Sequence, residues 1–197
     1  MGVTTRRPFF MLLAGLVAMA GCAKGPPPDF YVLHAPASES VVGVERGVSV
    51  GVGPIELPAH LNRSQIVTRT TDYQLDLSES HQWAEPLKDS VPRVIAVNLS
   101  NMLESNRVFV VPRRQRVSLD FQVSVDVARF DGVLGEAAVL GARWTLYRGD
   151  PRESLLSKVT IITETTDGGS YDALVAASSR TLEALSREIA DAINARR

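Results

Sequence analysis

The most reactive side chain in this sequence is a thiol, and there is one of them, Cys22. A cysteine thiolate is a strong nucleophile and a natural point of covalent attachment. Two small residues, Ala20 and Gly21, stand directly before it, and an uncharged apolar run from Phe9 to Met19 stands before those. Arg6 and Arg7 precede the run. A positive start, a short apolar middle and a small-residue end make up a secretory signal with its cleavage site. From Phe9 to Gly21 the segment counts 13 residues, whereas a membrane-spanning helix needs about 20. A structural thiol would lie inside a folded domain, so Cys22 reads instead as a modification point at the start of the mature chain.

Few other side chains suggest chemistry. The histidines are His34, His60 and His81. His81 and Glu85 stand four apart and could share a helical face, but a metal site needs at least one more ligand, and none is adjacent. A water-exposed pair at a helix start accounts for them better. Asp126, Asp131 and Glu136 fall around one expected hairpin. Paired carboxylates can do acid–base work, yet polar-face and turn positions explain these three more simply. Trp83 and Trp144 read as core or interface anchors. The sequence has no G-x-S-x-G elbow and no glycine-rich phosphate loop. The reading is a non-enzyme with no catalytic residue, no metal site and no cofactor.

Met19-Ala20-Gly21-Cys22 resembles the bacterial lipobox, with Met19 where leucine is usual. That resemblance implies a diacylglyceryl group on the Cys22 thiol, cleavage before it and acylation of the new amine. Each buried acyl CH₂ contributes about 0.8 kcal/mol and one chain binds only marginally, so three chains would hold effectively permanently. Ala23 stands where the inner-membrane retention signal places aspartate, which implies the outer membrane, facing the periplasm. Thr5-Arg6-Arg7-Pro8-Phe9 looks like a twin-arginine signal; a basic start serves general export equally, and both routes stay open.

The 197 residues therefore divide into a signal peptide, 1–21, an acylated cysteine with a proline-rich tether, 22–29, and one domain, 30–197. Cleavage leaves 176 residues, enough for a substantial core. The formal charge is −1 for the whole chain and −3 without Arg6 and Arg7, which excludes the basic face that nucleic acid requires. With one cysteine the mature chain forms no internal disulfide, so packing must stabilise it. Pro26, Pro27 and Pro28 favour an extended tether of about 3.1 Å per residue.

Phe30–Leu33 reads as a first strand. Val48, Val50 and Val52 alternate with small residues as a second, which Pro54 and Pro58 either end or confine to an edge. Residues 66–69 and 73–77 form a hairpin. Trp83 to about Ser105 has helical apolar spacing, with Pro92 expected to kink the helix or delay its start. Residues 108–111 are a short strand. Residues 117–127 alternate most cleanly of all, with a bulge expected near Arg129-Phe130 and a turn from Asp131-Gly132 and Gly135. The next inward faces are Leu140, Ala142, Trp144 and Leu146, then Leu155, Val159 and Ile161, giving an antiparallel meander. Ser170 caps a final helix with a stripe from Tyr171 to Ile193 and with Arg180, Glu183, Arg187, Glu188 and Asp191 in solvent. The order strands, helix, strands, helix predicts an α+β two-layer sandwich, two helices on one face of a mainly antiparallel or mixed sheet.

Several segments resemble the ABC-type transport auxiliary lipoprotein family. They are Val52-Gly53-Pro54-Ile55-Glu56-Leu57-Pro58, Leu61-Asn62-Arg63-Ser64-Gln65-Ile66-Val67 and Trp83-Ala84-Glu85-Pro86-Leu87. Asn98-Leu99-Ser100, Phe130-Asp131-Gly132, Gly141-Ala142-Arg143-Trp144 and Tyr171-Asp172-Ala173-Leu174-Val175 follow in order. Together they cover roughly residues 30–195, and Pro92 departs from the pattern. The resemblance implies an outer-membrane lipoprotein that partners a periplasmic MCE protein of an intermembrane lipid transport system. It also implies a homo-oligomeric ring matching the MCE tube. The candidate partner-binding residues are Pro54, Pro58, Arg63, Asp131 and Gly132, on edges expected to be exposed. An envelope-assembly lipoprotein binding another outer-membrane component is the alternative, which neighbouring permease, ATPase and MCE genes would distinguish. A periplasmic hydrolase is the third, and it would need clustered polar groups in a pocket.

Overall fold

The computed structural model describes residues 26–36, 47–112, 117–149 and 152–197. The signal segment and Cys22 lie outside the described residues. Strands β1 (Asp29–Tyr31), β2 (Val50–Glu56), β3 (Gln65–Thr71) and β4 (Gln74–Trp83) precede helix α1 (Leu87–Met102). Strands β5 (Val108–Val110), β6 (Phe121–Val133), β7 (Ala137–Tyr147) and β8 (Ser154–Thr165) precede helix α2 (Tyr171–Asn194). Both helices cover one face of a five-stranded mixed sheet ordered β5-β2-β6-β7-β8, and a three-stranded sheet ordered β1-β4-β3 adjoins it. The class is α+β with layered helices and sheet, as the element order predicts.

The core follows from alternation. Phe121, Val123, Val125 and Val127 of β6 and Ala138, Leu140, Ala142, Trp144 and Leu146 of β7 are all buried. A register slip between Val127 and Arg129 reverses the phase, so that Phe130 is buried too. This is the bulge the sequence predicts, and β6, β7 and β8 form the expected antiparallel meander. Against this face α1 buries Val91, Val94, Ile95 and Leu99, and α2 buries Leu182, Leu185, Ile189 and Ile193. The helices run parallel: Leu87 and Leu174 line one small void near their starts. Asn98 Nδ2 donates to Ser186 Oγ midway, and Arg197 Nη2 donates to the Leu103 carbonyl at their ends. Ser170 caps α2, its Oγ accepting from the Ala173 N–H at 3.1 Å.

Five expectations need correction. Trp83 closes β4, and α1 begins at Leu87, because Pro86 lies in extended backbone at the N-cap. The helix runs unbroken through Pro92 to Met102, so it does not wait for the proline to pass. β2 is interior, between β5 and β6, and its register slips between Val52 and Ile55, around Pro54; such a slip accommodates a residue with no N–H to donate. The β6–β7 turn is Leu134-Gly135-Glu136, while Asp131 and Gly132 remain in the strand. In β8 Leu155 packs on the core as expected, but beyond it the faces are the reverse: Val159 is 56% and Ile161 74% exposed, whereas Leu156 and Ile162 pack on the core. Aliphatic residues on both faces of an edge strand leave its phase undetermined by alternation, and Trp144 settles it by donating from Nε1 to Thr160 Oγ1 at 3.2 Å.

Candidate functional site

The parallel helices give the domain two ends. At the end where the helices start, the tether enters as β1, pairing in parallel with β4 from Asp29↔His81 to Tyr31↔Trp83. The Ala84 N–H donates to the Tyr31 carbonyl at 2.8 Å. His81 stacks on Tyr171 with centroids 3.9 Å apart and planes 11° from parallel, and Tyr31 lies 5.9 Å from His81 and 6.5 Å from Tyr171. Ser78 Oγ contacts His81 Nδ1 at 3.0 Å, and Asp29 Oδ2 lies 3.8 Å from Nε2. Partial burial, then the carboxylates of Asp29 and Asp172, raise the Tyr31 phenol above its ordinary pKa. The three rings clamp the tether strand to the start of α2. His81 therefore belongs to a strand, and Glu85, which pairs with Arg93 in α1, shares no helical face with it.

The same end holds the junction between the two sheets. The carboxylate of Asp131, with no solvent-accessible side-chain surface, accepts from Arg69 Nη2 of β3 at 2.7 Å and Nε at 3.2 Å. Arg129 Nε donates to Asp131 Oδ1 at 2.8 Å from two residues away. Burial alone would raise the Asp131 pKa; the hydrogen bonds from Arg69 and Arg129 outweigh it and hold the carboxyl below the ordinary value. Two guanidinia on one buried carboxylate is the arrangement in which an ion pair survives desolvation. Its location makes it the lock between β3 and β6.

The expected partner-binding residues fall into two groups. Pro54 is exposed, Pro58 begins a 3₁₀ turn over Ala59–Leu61, and Arg63 is half-buried. Among the described residues, Arg63 Nε is buried without a hydrogen-bond partner. Asp131 and Gly132 are buried and do not form an exposed edge. A Cβ on Gly132 would stand 2.5 Å from the Ala137 carbonyl oxygen and 2.6 Å from Leu174 Cδ1. That position thus lets α2 approach the β6–β7 hairpin. Leu61 joins Asp131 and Gly132 around a void of about 10 Å³ that Pro54, Pro58 and Arg63 do not line, with room for one water at most.

At the opposite end, Arg148 of the β7–β8 turn and Arg196 and Arg197 after α2 line an open cleft of about 440 Å³. The sequence reading missed this cleft. Arg148 stands 48 positions before Arg196, and nothing local links it to the Arg196-Arg197 pair. Also unforeseen is Glu188, read as solvent-facing. It pairs with Lys158 and accepts from Thr160 Oγ1 at 2.6 Å, which joins α2 to β8. Burial raises its pKa, and the Lys158 and Thr160 hydrogen bonds more than reverse that. Among the described residues no three His, Cys, Asp or Glu side chains converge as metal ligands, and no helix is long and apolar enough to cross a membrane.

The described residues form a layered α+β domain whose N-terminal strand follows the proline-rich segment. Comparison makes this specific. The sequence profile of the ABC-type transport auxiliary lipoprotein component family matches residues 31–190, and the chain belongs to that family. The family is one of auxiliary transport lipoproteins and is not a known enzyme family. Among solved structures, an uncharacterized protein superposes with a TM-score of 0.70 at 20% identity, covering 85% of this chain and 99% of its own. A Xanthomonas campestris protein of the DUF330 family superposes with a TM-score of 0.62 at 16% identity, covering 81% and 91%. At those identities the likeness establishes the fold. No curated protein matches the chain in sequence.

Proposed function

We propose that this chain is a PqiC-like accessory lipoprotein of an intermembrane lipid transport system, acylated at Cys22 and held at the outer membrane facing the periplasm. There it docks an MCE-domain protein. The observation that carries the reading is the family match beginning at Tyr31, nine positions after the lipobox cysteine and directly after the tether. The strand Asp29–Tyr31 is integrated into the domain through β4 and the ring clamp, which supports a fold able to take load from an anchor at Cys22.

The exposed stretch around Pro54 and Pro58, with Arg63 behind it, is the proposed docking segment. Asp131 and Gly132 act beneath it by fixing the sheet junction. A homo-oligomeric ring is the proposed assembly. Support comes from β8, a 12-residue strand with no partner on one side in the described sheet and with Val159 and Ile161 exposed. Unpaired apolar edges of this length are usually covered. Affinity capture from detergent-solubilised native membranes tests the reading. An MCE protein should co-purify with the acylated chain, and its repeated absence with the anchor intact would count against the proposal.

A further inference from the structure

We infer that the arginine-lined cleft at the ends of the helices binds the phosphate of an anionic amphiphile, a phospholipid headgroup with the first methylenes of its chains. Arg148 reaches the cleft from the β7–β8 turn, with its guanidinium carbon 5.9 Å from the centre of the Phe121 ring. Arg196 Nη1 donates to the Ala192 carbonyl at 2.9 Å, and Arg197 Nη2 to the Leu103 carbonyl at 3.4 Å. A guanidinium carries five N–H donors, so these bonds orient the side chains and leave most donors for a ligand. The only carboxylate lining the cleft among the described residues is Asp120. Its Oδ2 accepts from the Ser49 N–H at 2.7 Å, which holds it against the backbone. Glu153 Oε1 forms an exposed ion pair with Arg148 Nε at 3.8 Å without a hydrogen bond, an interaction that solvent screens.

A structural explanation covers part of this. Cations after a helix C-terminus offset its dipole, which accounts for Arg196 and Arg197. It does not account for Arg148, which comes from another element, or for the open volume between the three. Planar forks match phosphate oxygens bidentately, and Phe121 and Leu119 supply an apolar floor beside them. α2 has 24 residues, about 36 Å at 1.5 Å per residue, so the cleft lies well away from the tether clamp. A molecule bound there would be received at the end opposite the anchor. The inference goes beyond the transport reading and is measured without any MCE protein, so either can fail alone.

The test is isothermal titration calorimetry on the full acylated chain in phosphatidylcholine vesicles, with protein-free vesicles as the blank. One arm uses dihexanoyl phosphatidylglycerol and the other inorganic phosphate. Saturable binding of the lipid, at least about tenfold tighter than phosphate because the floor buries methylenes, is the expected result. Arg148→Ala combined with Arg196→Ala should weaken it at least tenfold with an unchanged melting temperature. Arg148→Lys, at an exposed turn position that does not threaten folding, should weaken it less. No saturable binding in either arm overturns the inference, as does binding indifferent to both variants. Phosphate binding as tight as the lipid overturns the assignment to a headgroup.

Discussion

The two ends of this domain are built on opposite principles. At the tether end the central polar groups are paired internally: Asp131 satisfies Arg69 and Arg129, His81 is stacked and hydrogen-bonded, and the void beside Asp131 is about 10 Å³. At the far end three guanidinia face an open cleft of about 440 Å³. One end spends its charges on rigidity, and the other leaves its charges facing solvent. Under the proposed anchoring at Cys22 this polarity has a reason, since the tether end would transmit the anchor and the opposite end would be left free for partners.

The comparison can be broken most directly at the anchor. Cys22→Ala should abolish membrane association in fractionation while shifting the melting temperature by no more than measurement error, since the core lies elsewhere. Next comes the junction lock. Asp131→Ala leaves two guanidinia without their shared carboxylate and should cost about 3 kcal/mol by denaturant titration, the scale for breaking a buried pair from one side. Its pH dependence has a fixed sign. The Asp131 pKa is depressed in the folded state, so its contribution is fully present above the unfolded carboxylate pKa and is lost as pH falls through the folded value. Asp131→Asn should flatten that acid limb of stability.

Smaller effects sharpen the contrast. Gly132→Ala meets the Ala137 carbonyl and Leu174, and overpacking of that kind should cost about 2 kcal/mol in chemical denaturation. Glu188→Gln breaks the pairing with Lys158 but keeps an acceptor for Thr160. At a partly exposed site, solvent screening keeps that loss under about 1 kcal/mol in thermal unfolding.

Legibility follows locality. β6, β7 and α2 were readable because each presents one face to the core, and the period of Phe121–Val127 or of Leu182–Ile193 records it. The bulge at Arg129 and the Ser170 cap were readable for the same reason. The hairpin of β3 with the start of β4 was readable, but the second half of β4 was hidden because Ser78 to Gln82 are polar, while the apolar spacing of α1 appeared to reach back to Trp83. Asp131-Gly132 resembles a turn dipeptide, and only the approach of β3 with Arg69 and of α2 with Leu174 makes both residues buried. The distal cleft has no local signal, since Arg148 and Arg196 meet only once β7 and α2 have packed. The candidate site was thus illegible wherever long-range packing assembles it, and the reading of Cys22 lies outside the described residues.

The account as a whole depends on what is attached to position 22. Mass spectrometry of the N-terminal peptide, from protein made in its native host, reads this directly. A chain beginning at a triacylated Cys22 is the predicted result; an intact signal segment, or a mature chain carrying a free thiol there, would contradict it.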